Sequence, residues 1–331
     1  MAASVPTSLF ARRRMLRALA AAPLAASAAF AGLRNARAAE NEHLTLVLGD
    51  QAGGTRALAE AAKVLDGTPY AWRWANFQGA APLFEAQRAG SVDLAPAGDL
   101  PVLAAAVGDP SLRIVATRVG TGAQLGILVG EHSTIRSIAD LKGRTVFISS
   151  ARGSISQFQL YGALAEAGLS KDDVTVRFIL PVDAFAAFTS GAIEVWATFD
   201  PYYGIAAQRG GRVLRDGTGI SSGLGFITAP AEALADPRKR VAIADALVRY
   251  QRAGDWAVAN HDAYAQIYST LTRSPLDAAK QITQRASLKL HFVNDADIAA
   301  LQKVADSAYR DAILPRRIDV RSISETHLAN A

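Results

Sequence analysis

The sequence predicts an α/β protein in which mainly parallel strands are covered by helices on both faces. Short apolar segments alternate with longer segments of helical periodicity, and this alternation is typical of parallel sheets. The chain has 331 residues, half of them hydrophobic, so it can bury a large core. A chain of this size usually divides into two domains.

The first α/β unit is predicted to open at residue 44. Its strands are expected at 44–48, 71–77, 92–95 and 112–119, with helices at 55–65, 82–89 and 98–107 between them. Gly and Pro residues between these segments indicate turns. A strand at 226–229 and a mainly helical segment from residue 237 onward are predicted to return to this unit.

A second α/β unit is predicted from residue 124. Its strands are expected at 125–129, 144–149, 174–180, 193–199 and 212–214, with helices at 153–167 and 183–190. Ser137 and Asp140 have the spacing of a capping box. Asp200 followed by Pro201 predicts an N-cap with proline at the first helical position.

The first 38 residues have the order of an export signal. Arg12 and Arg13 precede an apolar run of 16 residues at 18–33, and small residues at Ala36 and Ala38 follow it. The paired arginines predict a twin-arginine signal, with the general secretory route as the alternative. An N-terminal membrane anchor is disfavoured, because spanning a bilayer takes about 20 residues. The mature protein is therefore expected to be soluble in the periplasm.

Charge and composition exclude several classes of function. Removing the six arginines of the signal from the 35 basic residues leaves 29, against 30 acidic residues, so the mature charge is near −1 rather than +5. Nothing then indicates nucleic-acid or membrane binding. The sequence has no cysteine, and its five histidines form no close pair. We therefore expect no disulfide, no metal site, no cofactor and no thiolate nucleophile.

Seven short segments stand in the order found in one known family. They lie at 90–94, 98–99, 137–143, 153–154, 191–196, 200–201 and 213–219. Through them the chain resembles the periplasmic solute-binding proteins of ABC importers, in the group for aliphatic sulfonates, taurine and nitrate. The segment 181–188, with Trp196 and Asp200 behind it, points to the sulfonate branch. The resemblance covers nearly all of the mature chain.

The resemblance implies a two-lobed periplasmic binding protein of type II. Lobe I would comprise residues 39–119 and 220–331, and lobe II residues 120–219, joined by two crossover segments near 117–122 and 216–222. Such segments, rich in Gly, Thr and Ser, suit a hinge. The implied function is to capture an organic sulfonate for sulfur metabolism and deliver it, as a monomer, to a permease in the inner membrane.

The leading candidate for an anion site is the helix start at Gly153, Ser154 and Ser156, with Arg152 as a counter-charge. Ligands of open parallel sheets bind at the carboxyl ends of strands, and helix N-termini offer N–H donors to anions. The resemblance implies that residues of the other lobe face this site. The predicted ligand-binding residues are Gln51, Gly98, Asp99, Arg152, Gly153, Ser154, Ser156, Gln157, Trp196, Asp200 and Phe226, with no catalytic residue and no metal ligand.

Several of these residues have ordinary structural alternatives. Helix N-caps, which stabilise by about 1 kcal/mol each, would account for Asp99, Asp183 and Asp200. Arg152 could be a solvated loop charge. Trp196 could belong to the core or to the cleft wall, and Phe226 could pack on the tail of a ligand.

Two departures from the family pattern affect the expected solute. Gln157 stands where many relatives have His, and residues 222–225 lack the polar residues common there while adding Leu224. These changes disfavour a small sulfonate such as taurine and favour a bulkier one or another anion. Nitrate, a thiamine precursor and an aromatic acid remain alternatives. A desulfinase-like enzyme is disfavoured by the absence of cysteine.

Overall fold

The computed structural model describes residues 44–330, so the predicted export signal lies outside the described residues. Residues 46–67 and 72–330 form one compact unit. Residues 44–45 and 68–71 belong to a second, small unit. Within it, the Ala71 N–H donates to the Leu44 oxygen at 2.8 Å. Within the described part of the chain, no helix is both long and apolar enough to cross a membrane.

Strands and helices alternate along most of the chain. The first part contains β1 (Thr45–Gln51), α1 (Gly54–Ala61), β2 (Ala71–Phe77), α2 (Ala80–Arg88), β3 (Ala95–Gly98), α3 (Asp99–Gly108) and β4 (Leu112–Val119). The middle part contains β5 (Leu125–Val129), β6 (Thr145–Ser149), α4 (Ile155–Glu166), β7 (Thr175–Ile179), α5 (Pro181–Thr189), β8 (Val195–Phe199), α6 (Tyr202–Gln208) and β9 (Arg212–Asp216). The last part contains β10 (Leu224–Pro230), α7 (Ala231–Ala235), α8 (Pro237–Ala259), α9 (His261–Thr272), α10 (Leu276–Arg285), β11 (Lys289–Phe292) and α11 (Asp295–Arg310).

The strands form two main sheets. The first sheet has the order β11-β4-β10-β3, and the second has the order β7-β6-β8-β5-β9. Strands β1 and β2 pair with each other, and a parallel bridge between Leu48 and Leu94 brings β1 beside the first sheet. Each sheet thus collects strands from one of the two predicted α/β units.

Strand direction differs from the expectation of mainly parallel sheets. In the second sheet β6 is parallel to β7 and β8, while β5 is antiparallel to β8 and β9. In the first sheet β10 is antiparallel to both β3 and β4, and β11 is antiparallel to β4. The reason is topological, because β10 returns from the second sheet and enters the first between strands that run the opposite way.

The chain passes between the two sheets through residues 120–124 and 217–223, and these segments contact each other. The Gly120 N–H donates to the Gly223 oxygen at 2.8 Å. A Cβ atom on Gly122 would lie 2.6 Å from the Gly217 oxygen, and Gly122 has a φ of +83°. Any larger residue would push the segments apart. The predicted boundaries at 120 and 220 fall here, and the lobe division stays a prediction.

Each sheet has its own apolar core. One core joins the first sheet to α2, α3 and α11, around residues such as Leu100, Ile114 and Leu301. A second joins the second sheet to α4, and a third joins it to α5 and α6 around Trp196. A fourth is formed by helices α1, α8, α9 and α10. Burial of these apolar surfaces is the main stabilising contribution to the fold.

Several local predictions are refined by the structure. The capping box of Ser137 and Asp140 is confirmed at a short 3₁₀ helix, Ile138–Leu141. Helix α6 begins at Tyr202 with Pro201 as its N-cap, so the predicted N-cap Asp200 lies one residue earlier, although its side chain accepts from the Gly204 N–H at 3.0 Å. Asp183 lies inside the first turn of α5, which begins at Pro181, so it is not the N-cap.

Candidate functional site

A cavity of about 200 Å³ opens at the ends of strands from both sheets. It is bounded by the start of α1, the floor of the first sheet, α9, the end of α10 and the start of α4. The residues that line it are Gln51, Gly54, Thr55, Leu58, Ala80, Pro96, Ala97, Gly98, Pro101, Arg118, Gln124, Leu125, Ser150, Ser154, Ile155, Phe199, Asp200, Pro201, Leu224, Gly225, Tyr264, Tyr268, Ile282, Ala286, Ser287 and Leu288.

The floor of the cavity is a row of three neighbouring residues in the first sheet. Gly225 of β10 is paired with Gly98 of β3 on one side and with Arg118 of β4 on the other. Side chains at directly paired positions lie on the same face of a sheet. A Cβ atom on Gly225 would lie 3.7 Å from Arg118 Nε. Gly225 therefore leaves space beside a guanidinium group, whereas the space over Gly98 is filled by Ile155.

Arg118 is the charged group of this floor, and it is poorly satisfied by the protein. Its Nε atom is buried with no hydrogen-bond partner among the described residues. Its Nη1 makes one long contact of 3.4 Å, to Thr55 Oγ1. Burial lowers the pKa of the Arg118 guanidinium, and Tyr264 and Asp50 oppose that effect. Arginine nevertheless stays protonated in proteins, so the floor carries a positive charge.

Asp50 lies near Arg118, but its carboxylate is already occupied. It accepts hydrogen bonds from the N–H groups of Gly53, Thr55 and Arg56 at 2.7, 2.8 and 3.0 Å. Burial raises the pKa of Asp50, and these backbone donors oppose the rise. The carboxylate thus holds the start of α1 beside the cavity. Arg118 therefore retains hydrogen-bonding capacity for a ligand.

Two tyrosines of α9 cover one side of the cavity. Tyr264 and Tyr268 are one turn apart, with ring centroids 6.2 Å apart in an edge-on arrangement. Burial raises the pKa of both phenols above the ordinary value of 10.0. Both are therefore neutral O–H groups at physiological pH and can donate hydrogen bonds to an anion.

The opposite side of the cavity comes from the loop and helix after β6. Ser154 is the N-cap of α4, and its Oγ accepts from the Gln157 N–H at 3.3 Å. The Gly153 N–H is taken by Gln157 Oε1 at 2.7 Å. Ile155 lies over the floor, since a Cβ atom on Gly98 would be 2.5 Å from its Cδ1. The helix start is close to the cavity, but several of its donors are used internally.

A second charged pair lies at the edge of the cavity. Asp200, at the end of β8, accepts two hydrogen bonds from Arg285 of α10 at 3.0 and 3.1 Å. The Arg285 guanidinium also lies 4.8 Å from the centre of the Tyr203 ring. Burial raises the pKa of Asp200, and Arg285 opposes the rise. This pair joins the second sheet to the helices packed on α1.

Comparison with known proteins agrees with this architecture. Residues 78–260 match the family described as "ABC transporter, phosphonate, periplasmic substrate-binding protein". A relative from Escherichia coli (strain K12), named as an aliphatic sulfonates-binding protein, is 33% identical over 258 residues, covering 75% of this chain and 77% of the relative. The chain belongs to the periplasmic substrate-binding proteins of ABC transporters. The resemblance to the aliphatic sulfonate group is thereby confirmed.

Two solved structures confirm the two-lobed α/β fold class of this binding protein. One is the alkanesulfonate-binding protein SsuA from Xanthomonas axonopodis pv. citri bound to MOPS. It has a TM-score of 0.78 and 27% identity, over 86% of this chain and 99% of that chain. The other is the periplasmic aliphatic sulphonate binding protein SsuA from Escherichia coli. It has a TM-score of 0.72 and 28% identity, over 84% and 91% of the two chains.

Four of the predicted ligand-binding residues line the cavity of the binding protein. They are Gln51, Gly98, Ser154 and Asp200. Gln51 donates from its amide nitrogen to the Pro96 oxygen at 2.5 Å, and Asp200 is paired with Arg285. Their direct contact with a ligand stays a prediction.

Two aromatic residues of the predicted set lie in the cores instead of lining the cavity. Trp196 is fully buried, donates from Nε1 to Ser149 Oγ at 2.9 Å and packs among the aromatic rings of α5. Phe226 is also fully buried, in the core of the first sheet. The alternation of a strand explains this placement, because Gly225 faces the cavity and its neighbour therefore faces away.

The remaining predicted residues surround the cavity without lining it. Asp99 is buried and accepts from Leu100 N–H and Ser222 Oγ, which ties α3 to the second crossover. Ser156 is buried, and Gln157 bridges Gly153 to Tyr161. Exposed Arg152 and buried Gly153 belong to a neighbouring depression of about 190 Å³ between α2, α3 and the loop 150–154.

Sequence reasoning missed the residues that make the site polar. These are Arg118, Gln124, Tyr264, Tyr268 and Arg285. One signal was available for Arg118, since it is a charged residue near the end of a predicted strand and inside the predicted crossover 117–122. The tyrosines gave no such signal, because two tyrosines one turn apart on a helix are equally typical of a core.

Proposed function

We propose that this binding protein captures a short organic sulfonate outside the cytoplasm and delivers it, as a monomer, to an ABC permease. The observation that carries the proposal is Arg118, a buried guanidinium with an unpartnered Nε on the floor of the cavity. Buried polar groups are usually paired, and because Arg118 lines the cavity, a ligand in the cavity is the partner that we propose for this atom. A sulfonate provides acceptor oxygens for this donor and for the two tyrosine hydroxyls.

The charge around the cavity favours a monoanion. Its charged lining residues are Arg118 and Asp200, and the charge of Asp200 is matched by Arg285. The nearby Asp50 carboxylate offsets part of the positive charge of Arg118, so a sulfonate, which carries a single negative charge, is matched better than a dianion. A phosphonate loses a second proton near neutral pH, and its second charge would remain unpaired at a large desolvation cost.

The size and walls of the cavity favour a short aliphatic tail. A volume of about 200 Å³ lies below the roughly 300 Å³ at the lower end of pockets for drug-sized ligands. This volume argues against the bulkier sulfonate expected from the sequence. Leu58, Leu125, Phe199, Leu224 and Ile282 provide apolar contacts that nitrate could not use. A neutral or cationic thiamine precursor would leave Arg118 unpaired.

We propose capture without chemical change. The sequence contains no cysteine, so a desulfinase-like mechanism lacks its thiolate nucleophile. A ligand recovered from the denatured complex should therefore have an unchanged mass. Formation of sulfite from a bound sulfonate would refute this part of the proposal.

Ligand binding is proposed to close the two lobes about the crossover segments. The cavity is lined from both sheets, so one ligand can contact groups on either side of the hinge. The close contact of Gly120 with Gly223 and of Gly122 with Gly217 supports a narrow hinge. Small-angle scattering should show a smaller radius of gyration with a saturating sulfonate, and an unchanged radius would count against closure.

Export is proposed to use the twin-arginine route, with cleavage after residue 38 and release of a soluble periplasmic protein. The support is the order of residues in the signal. Replacing Arg12 and Arg13 with lysine should leave precursor in the cytoplasm, because this route reads the arginine pair itself. A second variant that also carries Arg14→Lys excludes substitution by the neighbouring pair. Normal processing of both variants would refute this route.

Titration calorimetry with butanesulfonate, butanephosphonate, butanoate, benzoate and nitrate tests the proposed ligand class. Butanesulfonate should bind tightest, and it should raise the free energy of unfolding by about 2.7 kcal/mol at a hundredfold excess over Kd. Butanephosphonate should weaken further as the pH rises through its second ionisation. Tighter binding of the phosphonate or of benzoate than of the sulfonate would overturn the assignment.

A further inference from the structure

Two buried side-chain atoms at the cavity have no partner among the described residues. One is the Nε donor of Arg118, and the other is the Oε1 acceptor of Gln124. Both residues line the cavity. An unpaired acceptor buried beside a ligand cavity indicates a donor on the ligand, just as the unpaired donor indicates an anion.

Gln124 and Arg118 stand at opposite ends of the first crossover. Arg118 belongs to β4 of the first sheet, and Gln124 immediately precedes β5 of the second sheet. The main-chain carbonyl oxygen of Gln124 accepts from the Asp200 N–H at 2.9 Å, which fixes the backbone at Gln124 to the end of β8. A ligand that satisfied both side chains would therefore connect the two sheets across the hinge.

The two unpartnered atoms demand different chemistry from the ligand. The guanidinium requires an anionic group, and the carboxamide oxygen requires an O–H or N–H donor. Apolar residues such as Leu125, Leu224 and Phe199 line the same cavity. We propose that the site selects sulfonates that carry a hydrogen-bond donor at the end remote from the sulfonate, and that Gln124 recognises this donor. The inference rests on the proposed binding of sulfonates and narrows it to hydroxy- and amino-substituted ones.

Two other glutamines make useful contrasts. Gln51 also lines the cavity, but its amide nitrogen is held by the Pro96 oxygen. Gln159 has a buried, unpartnered Oε1 like that of Gln124, but it does not line the cavity, and its Nε2 donates to the Arg215 oxygen at 3.2 Å. Gln159→Met is therefore a matched control for Gln124→Met, because it makes the same chemical change away from the ligand.

The test uses three sulfonates with equal numbers of heavy atoms. Terminal hydroxypropanesulfonate carries a donor, butanesulfonate carries a methyl group in its place, and methoxyethanesulfonate carries only an acceptor. Calorimetry on the wild-type protein should show the hydroxyl ligand binding about three- to tenfold tighter than the other two. Gln124→Met should abolish or reverse this preference while still binding butanesulfonate. Gln159→Met should keep the wild-type preference.

The possible results separate this inference from the proposed function. If none of the three sulfonates binds the wild-type protein, the proposed sulfonate function fails. If all three bind with equal affinity, or if Gln124→Met keeps the preference for the hydroxyl ligand, Gln124 does not recognise a donor although the sulfonate function stands. A preference for the methoxy ligand that disappears in Gln124→Met would show that the glutamine donates, and would also overturn the inference.

Discussion

Two arginines beside the same cavity have opposite relations to the protein. Arg285 makes two hydrogen bonds, of 3.1 and 3.0 Å, to the buried carboxylate of Asp200 and stacks on Tyr203. Arg118 has a buried Nε without a partner and one long contact to Thr55. The guanidinium of Arg285 is satisfied within the fold, so its removal should affect stability. The guanidinium of Arg118 is left for a ligand, so its removal should affect binding.

The helix start at Ser154 is intermediate between the two arginines, because only some of its hydrogen-bond donors are used within the protein. It was the anion site favoured by the sequence, because a glycine and two serines at a helix N-terminus suit an oxyanion. The structure shows that Gln157 occupies the Gly153 N–H and that Ser154 caps its own helix. A helix start thus marks a possible anion site, but its N–H groups can be used within the protein. A buried donor without a protein partner is a stronger indication that a ligand binds there.

The largest effect on affinity is expected from Arg118→Met. Losing the charged partner of a buried anion costs about 2–5 kcal/mol, or roughly thirtyfold or more in Kd for butanesulfonate. The stability of the ligand-free variant should change little, because the removal of a poorly hydrogen-bonded buried charge offsets the loss of its attraction to Asp50. Calorimetry and thermal melts measure the two quantities.

Arg118→Lys separates the effect of the positive charge from that of the guanidinium geometry. Lysine keeps the positive charge but loses the planar fork of donors, so its affinity should fall between those of Arg118→Met and the wild type. If Arg118→Met binds the sulfonate as tightly as the wild type, the anion lies elsewhere and the contrast between the two arginines is wrong.

Arg285→Met should show the reverse pattern. It leaves the Asp200 carboxylate buried without its counter-charge, and breaking such a pair costs about 3 kcal/mol in the free energy of unfolding. Adding Asp200→Asn should restore part of the loss, because the double variant buries no unpaired charge. Denaturant unfolding of the ligand-free proteins measures both changes. Arg285→Met with unchanged stability would mean that this pair contributes no more than an exposed salt bridge.

The fold was largely predictable from the sequence, and the site only in part. The alternation of strands and helices predicted both α/β units, and the Gly-rich segments near 120 and 220 predicted where the chain passes between sheets. The direction of β10 was not predictable, because pairing partners depend on topology. At the site, local sequence marks a loop such as Gly153–Ser154, but it does not show which donors the fold has already used.

Phe226 and Gly225, which are neighbours in β10, show the same limit of prediction from sequence. The sequence drew attention to the aromatic residue, whereas the register of β10 against β4 turns the glycine toward Arg118. A shift of one residue in the assumed register exchanges the two faces of a strand. Pairing across the sheet is therefore needed to decide which of two neighbours meets the ligand.

Gly225→Ala tests whether the space beside Arg118 belongs to the ligand. A Cβ atom there would lie 3.7 Å from Arg118 Nε and 3.4 Å from the Ala97 oxygen, so the fold should accept it with little change in melting temperature. The added methyl group should reduce affinity for butanesulfonate about tenfold by restricting access to the guanidinium. Wild-type affinity in this variant would place the sulfonate away from the floor. Gly130→Ala, which has open space around its Cβ position and does not line the cavity, serves as the control.

Ser154→Ala should have the smallest effect on binding. The Ser154 Oγ accepts from the Gln157 N–H as the N-cap of α4, so its loss should lower the free energy of unfolding by about 1 kcal/mol. Its hydroxyl proton can still reach the cavity, so affinity should fall by less than about tenfold. Ser154→Asn offers a control, since asparagine is an equally good N-cap but cannot place a hydroxyl at the same point. If Ser154→Ala lost more affinity than Arg118→Met, the anion would bind at the start of α4 and not at Arg118. The N–H groups that are hydrogen-bonded within the helix start would then be the donors to the anion.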